Sequence, residues 1–180
     1  VAAPVGRLPH KRDFDHAWSK SVAKWGIVVY SGAKWTMLLG EFEHTIDDKN
    51  RLTLPAKFRQ ALSGGLVITR GMEGCLSCYP AADWQRLVES RLAGLDPLSK
   101  EGRMMHRYFY SGASEAEPDK QGRVMLPATI ADNAGIAREV VVAGVGDHLE
   151  IWDRVAWRDH VKELEGSAED VAERLASQRD

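Results

Sequence analysis

Cysteine is scarce in this chain of 180 residues, and its two cysteines form one pair, Cys75 and Cys78, inside an apolar run. A zinc site needs a second such pair or two nearby histidines, and a redox motif needs a βαβ setting. Neither accompanies the pair, so packing within a strand is the better interpretation. We therefore expect no metal and no cofactor. Few cysteines and no export signal favour a reducing cytoplasm.

The chain also lacks a basic excess, since its formal net charge is −2. A nucleic-acid site must therefore be local rather than a property of the whole surface. The apolar run 26–30 is too short to span a bilayer and lacks the features of a signal peptide, so we expect no membrane partner.

Catalytic motifs are missing as well. The sequence has no nucleophile elbow, no phosphate-binding glycine loop and no metal-spaced histidine pair. His148 and His160 fit solvated histidines. We expect no catalytic residue, no small-molecule ligand and no enzyme.

One stretch is present twice. Residues 47–56 read DDKNRLTLPA and residues 119–128 read DKQGRVMLPA, so Asp, Arg, Leu, Pro and Ala recur 72 positions apart. Further apolar matches follow at a spacing of 73, with Leu76, Tyr79 and Trp84 answering to Leu149, Trp152 and Trp157. Two copies are too few for a solenoid. The repeat therefore indicates a duplicated small domain.

Each copy predicts a tight turn, a short strand and a short helix. Residues 51–54 alternate polar and apolar side chains, as a half-buried strand does, and Pro55 and Pro127 suit the start of a helix. Turn-structuring roles are expected for four residues, which are Asp47, Asn50, Asp119 and Gly122. The two Asp side chains can accept hydrogen bonds from turn amides, and Asn and Gly tolerate left-handed backbone. An ion pair with the turn Asp is one interpretation of Arg51 and Arg123.

The remaining pattern predicts an α+β fold. Strands are expected at 38–44, 66–69, 76–79, 140–143 and 149–152, with helices opening at Pro80 and Asp96-Pro97 and a final helix capped by Asp153. The predicted organisation is an N-terminal extension (1–36), module 1 (41–83), linking helices (84–111), module 2 (112–155) and a C-terminal helix and tail (156–180). The extension is cationic and is expected to be disordered or mis-annotated.

The paired Asp-x-x-x-Arg motifs, each followed after two residues by Leu-Pro-Ala, resemble the signature of the MraZ family. The runs 37–40 and 149–153 are also similar to it, and the resemblance covers Met37 to about Leu164. It implies two swapped-hairpin modules of the AbrB type in ring-like homo-oligomers. It also implies a nucleoid-associated bacterial regulator, mostly a repressor, of the division and cell-wall gene cluster. Asn50 departs from the Gly that the family usually has.

Both lines of argument meet at Arg51 and Arg123, which we expect to read guanine through their guanidinium forks. Four basic residues are expected to hold phosphates, namely Lys49, Lys57, Arg59 and Lys120. The predicted partners are double-stranded DNA and further copies of the chain, because an oligomer repeats the turns along one face. The alternative is a ring-forming protein scaffold with weak, non-specific DNA binding.

The codons of residues 1–36 suggest a further hypothesis. The resemblance implies operators made of direct repeats rich in G-T-G, just upstream of the gene, and Met37 lies where the family usually begins. Codons for 24–25, 28–29, 31–32 and 34–35 permit GTGG boxes at nucleotides 72, 82, 92 and 102, counted from the first codon. The constant pitch of 10 nucleotides is close to one turn of B-DNA. The segment is then translated promoter, and the alternative is a genuine cationic tail that helps to hold DNA.

Overall fold

The structure is a computed structural model that describes residues 28–30, 33–35 and 37–177. It falls into two units, described separately. In the first unit, strands β1 (Val28–Tyr30) and β2 (Ala33–Trp35) form an antiparallel hairpin. Most of the predicted extension 1–36 lies outside the described residues, so its disorder or mis-annotation stays a prediction.

The second unit alternates strands and helices, and the predicted α+β class is confirmed. Its elements are β3 (Leu38–Thr45), β4 (Arg51–Thr53), α1 (Ala56–Arg59), β5 (Leu66–Arg70), β6 (Leu76–Pro80), α2 (Ala81–Leu92), α3 (Lys100–Ser111), β7 (Ser114–Ala116), β8 (Arg123–Met125), α4 (Ala128–Asn133), β9 (Glu139–Gly146), β10 (Leu149–Asp153) and α5 (Arg154–Ser177). All five strands expected from the apolar pattern are present, each extended by one or a few residues.

The two copies of the repeat interleave in one antiparallel sheet of order β3-β9-β10-β6-β5-β7. Strand β3 of the first copy pairs with β9 of the second, and β7 of the second pairs with β5 of the first. Each copy thus completes the other, as swapped hairpins do. Because the strands interleave, the predicted modules are not two separate bodies in space, although their limits along the sequence stay predictions.

One hydrophobic core joins the copies. It is built from inward residues of both, among them Leu38, Leu52, Leu54, Phe58, Leu62, Leu66, Ile68, Leu76, Val124, Leu126, Ile130, Val140, Val142, Leu149 and Ile151, each at most 4% exposed. Burial of this much apolar surface is the main stabilising contribution. Leu52, Leu54, Val124 and Leu126 belong to the motif repeats, so the motif is anchored in the core.

The short helices α1 and α4 contribute Phe58 and Ile130 to this core, whereas α2 and α3 pack in a second, smaller cluster. In α2, Leu87, Val88 and Leu92 are buried, and Val88 and Leu92 pack with Phe109 of α3. The side chain of Asp153 accepts hydrogen bonds from the amides of Val155 (2.9 Å) and Ala156 (3.3 Å), so the predicted cap of α5 is confirmed. Helix α5 has no buried residue along its described length.

Helix α3 begins later than predicted. Asp96-Pro97 suggested the start, but the helix starts at Lys100, with Ser99 as its N-cap. The Ser99 hydroxyl accepts a hydrogen bond from the amide of Gly102 (2.8 Å), which satisfies an amide that lacks an intrahelical partner. Residues 96–99 instead form a turn in which Asp96 accepts from the amide of Leu98 (2.8 Å). Met104 of this helix is 58% exposed.

Candidate nucleic-acid interface

The first motif turn is held by Asp47. Its Oδ1 accepts hydrogen bonds from the amides of Lys49 (2.9 Å) and Arg51 (3.0 Å). The main chain closes the hairpin, since the Asn50 amide donates to the carbonyl of Asp47 (3.0 Å) and the Asp47 amide donates to the carbonyl of Arg51 (3.0 Å). Side-chain and main-chain atoms of Asp47 thus both take part in the hydrogen bonds of this turn.

The second turn repeats this pattern. Asp119 Oδ1 accepts from the amides of Gln121 (2.8 Å) and Arg123 (3.0 Å), and the Gly122 amide donates to the carbonyl of Asp119 (2.8 Å). The same sequence spacing therefore produces the same local geometry twice. In both turns the amides of the last three residues are paired within the turn.

The first turn has the same geometry with Asn50 as the second turn has with Gly122. The surroundings of these two residues differ. Asn50 (φ 55°) and Gly122 (φ 75°) share the left-handed conformation. A Cβ built on Gly122 would lie 2.6 Å from Nε of Arg59, so a side chain there requires the end of the Arg59 side chain to move. The position equivalent to Arg59 in the second copy is Ala131, which lines an open cavity beside Asn50. A side chain thus fits in the first turn as it stands, whereas in the second turn it would displace Arg59.

Each arginine of the motif is clamped on one side by its turn Asp. Oδ2 of Asp47 accepts from Arg51 Nε (2.8 Å) and lies 2.7 Å from its Nη2, and Asp119 holds Arg123 through the same atoms at 2.7 and 2.6 Å. The hydrogen bond from the arginine lowers the pKa of Asp47 to about 2, and likewise that of Asp119. The ion pairs considered from sequence therefore exist.

The clamp leaves part of each guanidinium available. An arginine carries five N–H donors, and the turn Asp uses only the Nε side. The Nη1 and outer Nη2 hydrogens stay available, and both side chains are 28% exposed. The same guanidinium can therefore pair with the turn Asp and still direct its remaining N–H donors at a ligand. The two interpretations of these arginines do not exclude each other.

The two motif strands pair with each other and form a separate two-stranded ribbon. In its register Arg51 lies opposite Met125, Leu52 opposite Val124, and Thr53 opposite Arg123. The Leu54 amide donates to Gly122 and the Leu126 amide to Asn50, each at 2.8 Å, which continues the pairing into both turns. The ribbon thereby fixes the position of one turn relative to the other.

Alternation places four side chains on the outer face of this ribbon, because successive residues of a strand point to opposite sides. Leu52 and Val124 point into the core. The outer face therefore carries Arg51, Thr53, Arg123 and Met125, and we call these four residues the ribbon face. Thr53 and Met125 were missed from sequence, although the alternation around them was visible.

The predicted phosphate-binding residues are only partly brought together. Lys49 and Lys120 are exposed in the turns beside the ribbon. Arg59 lies against the second turn, where its Nε donates to the carbonyl of Leu54 (2.9 Å). Lys57 instead donates to the carbonyl of Leu39 on β3 (2.9 Å), away from the turns.

A further basic residue, Arg138, was missed from sequence. It is 72% exposed and lies 3.6 Å from the carboxylate of Asp48 in the first turn. Its carbonyl accepts from the amide of Ile46 (2.8 Å), which fixes its backbone beside that turn. Each turn therefore has one additional arginine from the opposite copy, Arg138 for the first and Arg59 for the second.

The two cysteines lie on β6 or directly before it and are buried. Burial raises the pKa of the Cys75 thiol to about 12 and raises that of Cys78 further, so neither is a reactive thiolate. Within residues 37–177, no group of three or more His, Cys, Asp or Glu side chains could hold a metal ion. No helix in that part of the chain has the length and apolar character needed to cross a bilayer.

Comparison with known proteins gives a consistent result. A family described as "MraZ protein, putative antitoxin-like" matches the chain twice, over residues 37–107 and 109–179. The chain is 44% identical to the transcriptional regulator MraZ of Lactobacillus gasseri and 43% identical to that of Lactobacillus johnsonii. It is 42% identical to that of Heliobacterium modesticaldum. Each alignment covers 139 residues, which is 77% of this chain and 96% of the relative.

Proposed function

Because the chain belongs to the MraZ family, we propose that it is a sequence-specific DNA-binding transcriptional regulator. Its relatives are named as regulators and not as enzymes, which agrees with the sequence-based expectation of no enzymatic activity. The ribbon face is the proposed contact surface. A two-stranded β-ribbon fits the major groove of B-DNA and can present its outward side chains to base edges.

The observation that carries this proposal is the matched pair of clamped arginines on one face. A guanine offers O6 and N7 as two adjacent acceptors in the major groove, and an arginine fork is their commonest specific partner. The Asp clamp holds each guanidinium before DNA arrives, so less rotamer entropy is lost on binding. We assign base reading to Arg51 and Arg123 on this basis.

Phosphate contacts are assigned to the basic residues around the ribbon. Lys49, Lys120 and Arg59 are placed beside the turns, and Arg138 joins them. Lys57 is the weakest candidate because its ammonium group bonds to β3. Such contacts supply affinity and position rather than sequence preference. They also give the turns local positive charge on a chain whose total charge is −2.

The proposal includes a ring-like homo-oligomer. Among residues 37–177, strand β3 lies at one end of the sheet. Its eight residues pair with β9 on one side and with no strand on the other side. Exposed edges of this length are usually paired or covered. A ring would repeat the ribbon face and let several weak contacts act together.

The proposed target is the promoter of the division and cell-wall gene cluster, with repression as the usual outcome. The binding sites would be direct repeats rich in G-T-G in the protein's own upstream DNA, and the protein would be nucleoid-associated. The support is the family resemblance together with the GTGG boxes that codons for residues 24–35 permit.

A titration of the full chain against its own upstream DNA tests the function. Fluorescence anisotropy with that DNA and with a scrambled duplex of the same composition should give at least a thousandfold difference in affinity at physiological salt. The logarithm of the affinity should fall linearly with the logarithm of the salt concentration, with a slope of about −0.9 for each phosphate contacted. Equal, weak binding to both duplexes would favour the scaffold alternative instead.

A further inference from the structure

The ribbon face has two ends that differ in chemistry. At one end Arg51 lies opposite Met125, and at the other Arg123 lies opposite Thr53. Thr53 and Met125 occupy equivalent positions in the two copies of the repeat. The arginines are matched, but their cross-strand neighbours are a short hydroxyl side chain and a long apolar one.

Met125 is 56% exposed on this face. Single apolar side chains on a surface are common and need no explanation by themselves. This one, however, is on a face with only three other side chains, two of which are cations. A second copy of the same face would bring like charges together, so this surface fits a polyanion better than another copy of the ribbon.

We propose that Met125 contacts the C5-methyl group of a thymine in a base pair adjoining the guanine that Arg51 reads. This inference rests on the proposed DNA-binding function and extends it to one further specificity-determining residue. In the major groove the thymine methyl is the apolar feature of a base pair, and apolar side chains are its partners.

The spacing supports this assignment. Side chains directly opposite each other in an antiparallel pair have Cβ atoms about 5 Å apart. Successive bases along one strand of B-DNA are about 3.4 Å apart. A methionine beside a guanine-reading arginine therefore reaches the neighbouring base pair, and its flexible thioether adapts to the methyl group. Thr53 is shorter and does not extend as far from the strand, so it does not reach a neighbouring base pair as Met125 does. The two ends of the ribbon therefore differ in the base pairs that they read.

Deoxyuridine replaces thymine without changing base pairing and removes only the methyl group. The test is a scan in which each thymine of the upstream duplex is replaced singly by deoxyuridine and binding to the full chain is measured by anisotropy. For the unmodified protein we expect a loss of about fourfold at one thymine in each repeat, and little change at the others. This figure corresponds to one buried methyl-sized group at about 0.8 kcal/mol.

Three variants make the scan specific. Met125→Ser should abolish the deoxyuridine penalty, and Met125→Leu, which keeps apolar reach, should retain it. Met104→Ser, at an equally exposed methionine (58%) on helix α3, is the matched control and should behave as the unmodified protein. Light scattering should give one oligomeric state for all of them.

The outcomes separate the inference from the function on which it rests. If Arg51→Ala weakens specific binding but the deoxyuridine scan is flat, or if Met125→Ser keeps the same penalty, the Met125 assignment is wrong and DNA reading stands. A changed oligomeric state in Met125→Ser would also overturn the assignment, because the residue would then be a subunit contact. If Arg51→Ala and scrambled DNA both leave affinity unchanged, the proposed function itself fails.

Discussion

Replacing Arg123 or Arg51 with alanine removes the proposed base-reading group while leaving the turn in place. The turn Asp still accepts from two main-chain amides, because the amide of residue 51 or 123 is retained in alanine. The lost ion pairs are solvent-accessible, with both partners roughly a third exposed. Such pairs contribute little to stability, so the midpoint of thermal unfolding should fall by no more than about 4 °C.

DNA binding should fall much further. Each arginine keeps its Nη donors available beside the clamp, and loss of a bidentate guanine contact lowers specific affinity by roughly 5- to 150-fold per site. The loss multiplies when several subunits of an oligomer bind one operator. Affinity for a scrambled duplex should change only slightly, because non-specific binding depends on total positive charge more than on these two forks.

The assay compares anisotropy titrations of both alanine variants on operator and scrambled DNA with thermal unfolding of the same samples. Arg51→Lys and Arg123→Lys keep the charge but not the fork, so they should resemble alanine on the operator and the unmodified protein on scrambled DNA. Arg158→Ala, at an exposed arginine of α5, is the control. Variants that melt early and still bind the operator normally would show that these arginines serve the fold alone.

Three further predictions concern the turns, the sheet and the N-terminal segment. The pKa of Asp47 and of Asp119 is lowered from 3.8 to about 2, so their stabilising contribution is complete above pH 3.8 and disappears as the pH falls through about 2. The stability difference between the protein and Asp47→Asn/Asp119→Asn should therefore shrink over that window in urea unfolding, and a constant difference would contradict the clamp. A Cβ on Gly144 would lie 2.5 Å from the backbone carbon of Leu38, so Gly144→Ala should destabilise the β3–β9 pairing by about 1–3 kcal/mol. Gly166→Ala, which meets nothing within 4 Å in α5, should not destabilise. Sequencing the DNA that encodes residues 1–36 should find the four GTGG boxes, and protein starting at Met37 should then bind that DNA undiminished, whereas other codons end the hypothesis.

Local features of this chain were predictable because they depend on neighbouring residues. The Asp turn, the left-handed residue after it and the strand that follows are all encoded within a few positions. The same holds for the strands 66–70 and 76–80, which a short connection joins. Locally encoded structure therefore accounts for both halves of the candidate site.

The pairing of the two copies was not predictable in the same way. Strands β4 and β8 have three residues each and pair across about 70 positions of sequence. Nothing in a three-residue alternation specifies its partner or its register. The shared outer face, and with it the role proposed for Met125, follows only from that register. The late start of α3 has a different cause, since the Ser99 cap competes successfully with Asp96-Pro97.

Duplication within one chain allows the two halves of this site to diverge. In a homodimer of a single module, any change at one turn would appear at the other. Here Arg59 lies over Gly122 while Ala131 leaves room for Asn50, and Met125 faces Arg51 while Thr53 faces Arg123. The backbone and the arginines of the ribbon thus follow a two-fold symmetry. The other residues differ between its two ends, and this difference gives the ribbon a direction. In the proposed complex such a ribbon would bind its site in one direction only, so successive subunits bound in the same orientation would require direct rather than inverted repeats, about one helical turn apart.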